Sequence, residues 1–251
     1  MSTLLISALC LTMVGTSFLS GIFGMAGGMI LMGVLLVLLP LPEAMMLHGV
    51  TQIASNGWRG LLWWRHAHWR PVAGYVAGLL LAMAVWWFWR YVPSKPVAFL
   101  MLGLTPFIIW LAPKNLRPNP ESPWQCAVLG LLSMTLMLLT GVSGPLIDTF
   151  FLSGKMDRRE IVATKAMCQI FSHAAKLAYF GGLIDQAASV DPLVAGLAIL
   201  SSLVGTKLAT YVLEAMTDKQ YRGWANGIIM AIAGCYLSYA MYLMVLPAFA
   251  S

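Results

Sequence analysis

The chain has 251 residues, of which 60% are apolar and 10% charged, with a net charge of +6 and a mean hydropathy of +0.81. This excludes a soluble globular domain, whose surface needs a much larger charged share. The basic residues sit mainly between apolar runs, so the positive charge reports membrane topology and not a nucleic-acid patch. The sequence reads as an all-α polytopic membrane protein.

The first apolar run, 4–23, has the length of a secretory signal, but no Lys or Arg precedes it and a second apolar run follows at once. It is therefore expected to stay as a first membrane helix. Nine more runs follow at 26–40, 44–65, 71–91, 97–112, 123–141, 145–154, 160–182, 192–213 and 222–246. A full span needs about 20 residues, so the second and seventh are too short to cross as ordinary helices. The segment PKNLRPNPESP, Pro113 to Pro123, carries four prolines and cannot continue a helix. It divides the chain into a first repeat at 1–112, a cytoplasmic linker at 113–122 and a second repeat at 123–251. Cys10, Cys126, Cys168 and Cys235 stand singly in apolar runs, without metal-ligand spacing, and read as small core residues. No metal and no cofactor is expected.

A gapless offset of 117 relates the halves. It sets TQIASNGWR on CQIFSHAAK, so that Gln52 falls on Gln169, Ser55 on Ser172, Asn56 on His173 and Arg59 on Lys176; it also sets Gly24 on Gly141, Gly27 on Gly144 and Glu43 on Glu160. Two separate motifs sharing one offset indicate duplication. With the N-terminus outside, the inner connections hold Arg65, Arg70, Lys114, Arg117, Lys155, Arg158, Arg159, Lys219 and Arg222, against Arg90 and Lys95 outside, a clear positive-inside bias. Five segments per half is an odd number. The second half must then enter the membrane upside down, giving two inverted repeats with both termini outside the cytoplasm.

GIFGMAGGM and TGVSGP interrupt apolar runs at the start of each repeat with residues that disfavour helix interiors. Non-helical backbone at membrane depth is tolerated only inside protein or beside a cavity, so each interruption is a re-entrant hairpin tip or a break facing a pathway. The half-helix that follows directs its N-terminal dipole end at the break, a geometry suited to an anion. Close helix packing is the competing meaning of the same glycines. Gln52, Ser55 or Asn56, and Arg59 lie at i, i+3/i+4 and i+7 on one helix face, as do Gln169, Ser172 or His173, and Lys176. A cation mid-membrane costs about 2.5–3.5 kcal/mol even on insertion scales, so these stripes are expected to face an anion path and not lipid. The substrate-binding candidates are Gly27, Gly28, Gln52, Ser55, Asn56, Arg59, Ser143, Gly144, Gln169, Ser172, His173 and Lys176. Their plainer reading is interhelical bonding for the Gln and Ser residues and snorkelling for the cations.

GIFGMAGGMILMGVLL followed by the TQIASN helix, and GVSGPLIDTFFL followed by the CQIFSH helix, resemble the TauE/SafE sulfite exporter family, also called TSUP. The resemblance runs over nearly the whole chain. It implies a bacterial inner-membrane permease for small sulfur-containing anions such as sulfite, sulfoacetate or other organosulfonates, with the family's glycine-rich breaks at Gly24 to Gly28 and Gly141 to Pro145. Ser143 and Pro145 depart from the usual triple glycine at the second break.

Among the remaining polar residues, Asp148 is expected to pair with a base or carry a proton, and His173 can change charge near neutral pH. Lys207 either lines the pathway or snorkels. His48, His66 and His68 read as interface or loop residues, and most tryptophans as an aromatic belt. Export of a sulfur anion is the leading function, proton-coupled uptake through Asp148 or His173 the alternative, and a non-transport assembly factor or intramembrane enzyme a third class. An enzyme is disfavoured because the sequence has no defensible Ser-Lys or Ser-His pair and no H-E-x-x-H. The expected partners are the anion, the lipid bilayer and, in the oligomeric case, a second copy of the chain; nucleic acid is not among them.

Overall fold

The computed structural model describes residues 3–23, 26–111, 118–152, 156–184, 188–215 and 218–249. Ten α-helices account for most of them: α1 Thr3–Phe23, α2 Ala26–Leu38, α3 Leu41–Leu62, α4 Trp69–Trp89, α5 Lys95–Leu111, α6 Pro123–Thr140, α7 Gly144–Leu152, α8 Arg158–Ala178, α9 Pro192–Ala215 and α10 Asp218–Phe249. These follow the ten apolar runs closely. Gly24, much of the Pro-rich linker, Lys155 and Asp185 lie outside the described residues.

Local chemistry sets several boundaries. Asp157 caps α8 in a reciprocal box with Glu160: the Asp157 side chain accepts from the Glu160 N–H at 2.9 Å, and the Glu160 carboxylate accepts from the Asp157 N–H at 2.9 Å. Ser122 caps α6 and Pro123 occupies its first turn, where a missing N–H costs nothing. At the far end of α6, Gly141 adopts φ +80°, a left-handed conformation that ends the helix and favours glycine. The Thr140 hydroxyl then accepts from the Val142 N–H at 3.1 Å, so the turned backbone keeps a partner.

Among the described residues, α1, α4, α6, α9 and α10 are long and apolar enough to cross a membrane, while α2 and α5 are apolar but shorter. This is a multi-pass membrane protein. Trp64, Trp69, Trp87, Trp89, Trp110 and Trp124 are exposed, mostly near helix ends, as an aromatic belt requires. Trp86 is an exception, buried edge-on against Tyr179.

The more polar α3 and α8 pack on each other at the centre, with α1 laid along α9 and α4 along α6 around them; α5 packs on α10. The α4–α6 contact is close enough to require glycine. A Cβ at Gly78 would collide with the Ala127 carbonyl, and one at Gly130 with the Tyr75 carbonyl. Neither obstacle can move, being backbone. Gly78→Val and Gly130→Val are therefore expected to lower stability by about 1–3 kcal/mol, the cost typical of overpacking. Gly57→Ala in α3, where nothing lies within 4 Å of the added carbon, should leave stability equal or slightly raised. Thermal melts in detergent check both; equal melting for Gly78→Val and wild type would disprove the close approach.

Candidate functional site

The helix pair α3 and α8 runs antiparallel. Gly49, in the first half of α3, faces Leu177 and the Lys176 side chain, whereas Gly60, near its end, faces Met167 and Ile170. Between the two helices lies a cavity of about 40 Å³, room for a few waters or one small polyatomic ion. His48, Gln52, Asn56 and Arg59 line it from α3, and Lys165, Gln169 and His173 from α8. Ser20 and Gly21 of α1 close one wall. The first turns of α2 and α7 reach it through Gly28 and Gly144, with Val142 beside the latter. The α3 residues fall four, four and three apart, a single stripe; moved by 117, the stripe becomes Lys165, Gln169, His173 and Lys176.

The cavity has unlike ends. At one end Lys176, with no exposed surface, places Nζ 2.9 Å from Nδ1 of His48 and 3.0 Å from the Gly141 carbonyl. Nε2 of His48 lies 2.9 Å from the Gly28 carbonyl. A carbonyl can only accept, so Nε2 carries the histidine proton and Nδ1 offers its lone pair to Lys176. One bonded chain thus joins the first turn of α2 to the end of α6. At the other end, Nη1 of Arg59 donates to the Ser20 carbonyl at 3.0 Å and Nη2 to Oδ1 of Asn56 at 2.9 Å. Ser20 lies in the last turn of α1, so each cation meets the carbonyl end of an interrupted helix, where the helix dipole favours positive charge. Arg59 also lies near enough to Lys165 for the two cations to repel.

Seven of the sequence-predicted site residues line the cavity: Gly28, Gln52, Asn56, Arg59, Gly144, Gln169 and His173. Gln52 Nε2, His173 Nδ1 and Ser20 Oγ are buried there with no hydrogen-bond partner. The other five sit outside it. Gly27 allows α1 and α2 to touch, since a Cβ would strike the Thr16 carbonyl and Ser20. Ser55 bonds Thr206 of α9 at 2.8 Å, and Ser172 bonds the Tyr75 hydroxyl at 2.6 Å, with Ser143 beside the same hydroxyl. Gly27, Ser55 and Ser172 thus make packing or interhelical contacts. Lys176, the fifth, neither snorkels nor lines the cavity.

Asp148 is buried and paired with Lys165. Lys207 is exposed on α9 and does not reach the cavity. Two residues of the cavity wall escaped the sequence reading. His48, expected at an interface, is buried in the cavity wall with 1% exposure, because its ring is needed to bond Gly28 and Lys176. Lys165 was passed over in a helix with other basic residues at its start; the offset of 117 carries His48 onto it and could have found it.

The profile of the family described as Sulfite exporter TauE/SafE matches residues 9–237. No curated protein and no solved structure gives a match.

His48→Ala removes a partner from two buried groups at once, the Gly28 carbonyl and Lys176. Each group left unsatisfied costs about 1–3 kcal/mol, so a clear fall in denaturation midpoint is expected for the purified variant. A midpoint equal to wild type would mean that the bonded chain does not hold the two helix ends.

Proposed function

Since the chain belongs to the sulfite exporter TauE/SafE family, we propose that it is a permease of the bacterial inner membrane that carries a small sulfur oxyanion, sulfite or an organosulfonate such as sulfoacetate, bound in the α3–α8 cavity. The observation that carries this reading is the convergence, in one small cavity, of a guanidinium, two helix starts and buried polar atoms without partners. Buried donors left unpaired are costly, and an oxyanion would satisfy several together. The planar fork of Arg59 suits two oxygens of a sulfonate.

Inverted repeats are supported by the packing. If α1 to α5 correspond to α6 to α10, then α1 on α9 is the image of α6 on α4, while α3 on α8 and α5 on α10 are their own images. The unlike cavity ends fit an alternating-access cycle on such a frame. The His48–Lys176 end is bonded in this state, whereas at the corresponding Arg59–Lys165 end two cations cannot bond each other. Export needs no coupling ion, because a negative interior favours anion exit by about 2.3 kcal/mol per charge per 100 mV. The Lys165–Asp148 pair favours a second reading, proton-coupled uptake.

Arg59→Gln should weaken binding of sulfite and methanesulfonate by roughly ten- to a hundredfold, the 1.5–3 kcal/mol of a charge-assisted hydrogen bond, and Arg59→Lys should restore it only in part. Calorimetry on folded protein reads this directly. Native affinity in Arg59→Gln would remove Arg59 from the site. The basic-residue bias supports an orientation with both termini outside the cytoplasm; a C-terminal reporter active only in the cytoplasm would contradict it.

A further inference from the structure

Lys165 differs from the other cations of the site in its partner. Arg59 and Lys176 donate to backbone carbonyls, Ser20 and Gly141 respectively, whereas Lys165 is held by a side-chain carboxylate, Asp148 of α7. Lys165 lines the cavity and Asp148 does not. Both are almost fully buried. Lys165 also occupies the position equivalent to His48, and the substitution has a consequence. At the closed end, the lone pair of His48 accepts a bond from Lys176. At the other end, an ammonium in the same place cannot accept a hydrogen bond from Arg59.

We infer that Lys165 is, with Arg59, a ligand of the transported oxyanion, and that Asp148 is its resident competitor, which must take up a proton when the anion replaces it. The inference rests on the reading of the cavity as the anion site. An oxyanion between Arg59 and Lys165 can accept from both cations and can draw that end closed, as His48 does at the other. If Asp148 stayed ionised, two anions would share one buried ammonium and the carboxylate would be left buried without a counter-ion. The exchange balances without that cost. A proton from water forms an O–H bond on the Asp148 carboxylate, the Lys165 ammonium transfers its hydrogen bond from that carboxylate to an anion oxygen, and no electrons change hands. For a monoanion the net charge of the site is unchanged, so one proton accompanies each anion, which is the proton-coupled second reading and not potential-driven export, and release reverses every step.

Other groups near the pair can titrate or shift it. α8 brings His173 along the same stripe, and α3 brings His48 and Arg59 across the cavity. α5 and α6, the other helices packed on α7, each carry one titratable side chain, Lys95 and Cys126. The test must therefore separate Asp148 from the two histidines. Methanesulfonate is a suitable probe because its own charge does not change from mildly acidic to mildly alkaline pH. On the full-length protein, wild-type affinity should rise as pH falls. Asp148→Asn, which keeps the shape without the charge, should bind at least as tightly as acidic wild type and with no pH dependence. Lys165→Gln should lose about tenfold or more. Proton uptake in weak buffer, about one per methanesulfonate bound to wild type, reads the same step without a variant and decides the matter if Asp148→Asn fails to fold. A wild-type pH slope retained in Asp148→Asn would assign the titration to Lys165 itself, His48 or His173 and overturn the inference, as would the absence of proton uptake. If Arg59→Gln weakens binding and Lys165→Gln does not, the cavity remains the anion site and only this inference falls. If wild type binds no methanesulfonate or other sulfur oxyanion, the cavity reading falls and takes this one with it.

Discussion

A helix interrupted within a membrane protein leaves carbonyls at one broken end and N–H groups at the other, and hydrocarbon can satisfy neither. Much of the centre of this protein follows from that constraint. Lys176 donates to the carbonyl of Gly141 at the end of α6, and Arg59 donates to the carbonyl of Ser20 near the end of α1. Both cations come from the central helix pair, so satisfying the broken ends also fixes α3 and α8 against them. The two positive charges are thereby held in the interior, where cations without carbonyl partners would be prohibitively expensive.

This arrangement leaves the first turns of α2 and α7 facing the cavity. Once the carbonyl sides are capped, the first turns of α2 and α7 open onto the cavity beside Gln52, Gln169 and His173. Those side chains add directional polar groups to a space already biased toward negative charge by helix ends and guanidinium. A small oxyanion is the ligand chemistry that answers all of them together. The difference between His48 and Lys165 at equivalent positions gives the site its two unlike ends: a neutral ring can bridge a lysine to a backbone carbonyl, and an ammonium cannot bridge to an arginine.

The helices were largely legible in the sequence because long apolar runs and their Pro, Gly and Asp punctuation act locally. The end of α6 after Thr140 was legible for the same reason, through Gly141. The stripes on α3 and α8 were legible as polar periodicity, and five of their residues, Gln52, Asn56, Arg59, Gln169 and His173, line the cavity with Gly28 and Gly144. What periodicity could not resolve was which polar residues turn inward to the cavity and which bond an adjacent helix. Ser55 and Ser172 lie within one turn of cavity residues yet bond Thr206 and Tyr75, and that choice depends on α9 and α4, which are remote in sequence. His48 was misread because histidine near a helix start resembles an interface residue until the carbonyl of Gly28, twenty residues earlier, is brought beside it. The partner of Asp148 could be expected as a class, a base, but its identity as Lys165 depends on how α7 packs against α8.

The central claim is that an oxyanion binds between α3 and α8 beside Arg59. Crystals grown with selenate, whose selenium scatters anomalously, test it most directly. The account predicts a selenium peak inside the cavity within hydrogen-bond reach of Arg59 and of Gln52 or Gln169. A peak found only elsewhere, for instance beside the exposed Arg70 at the start of α4, with the cavity empty of anion, would contradict it.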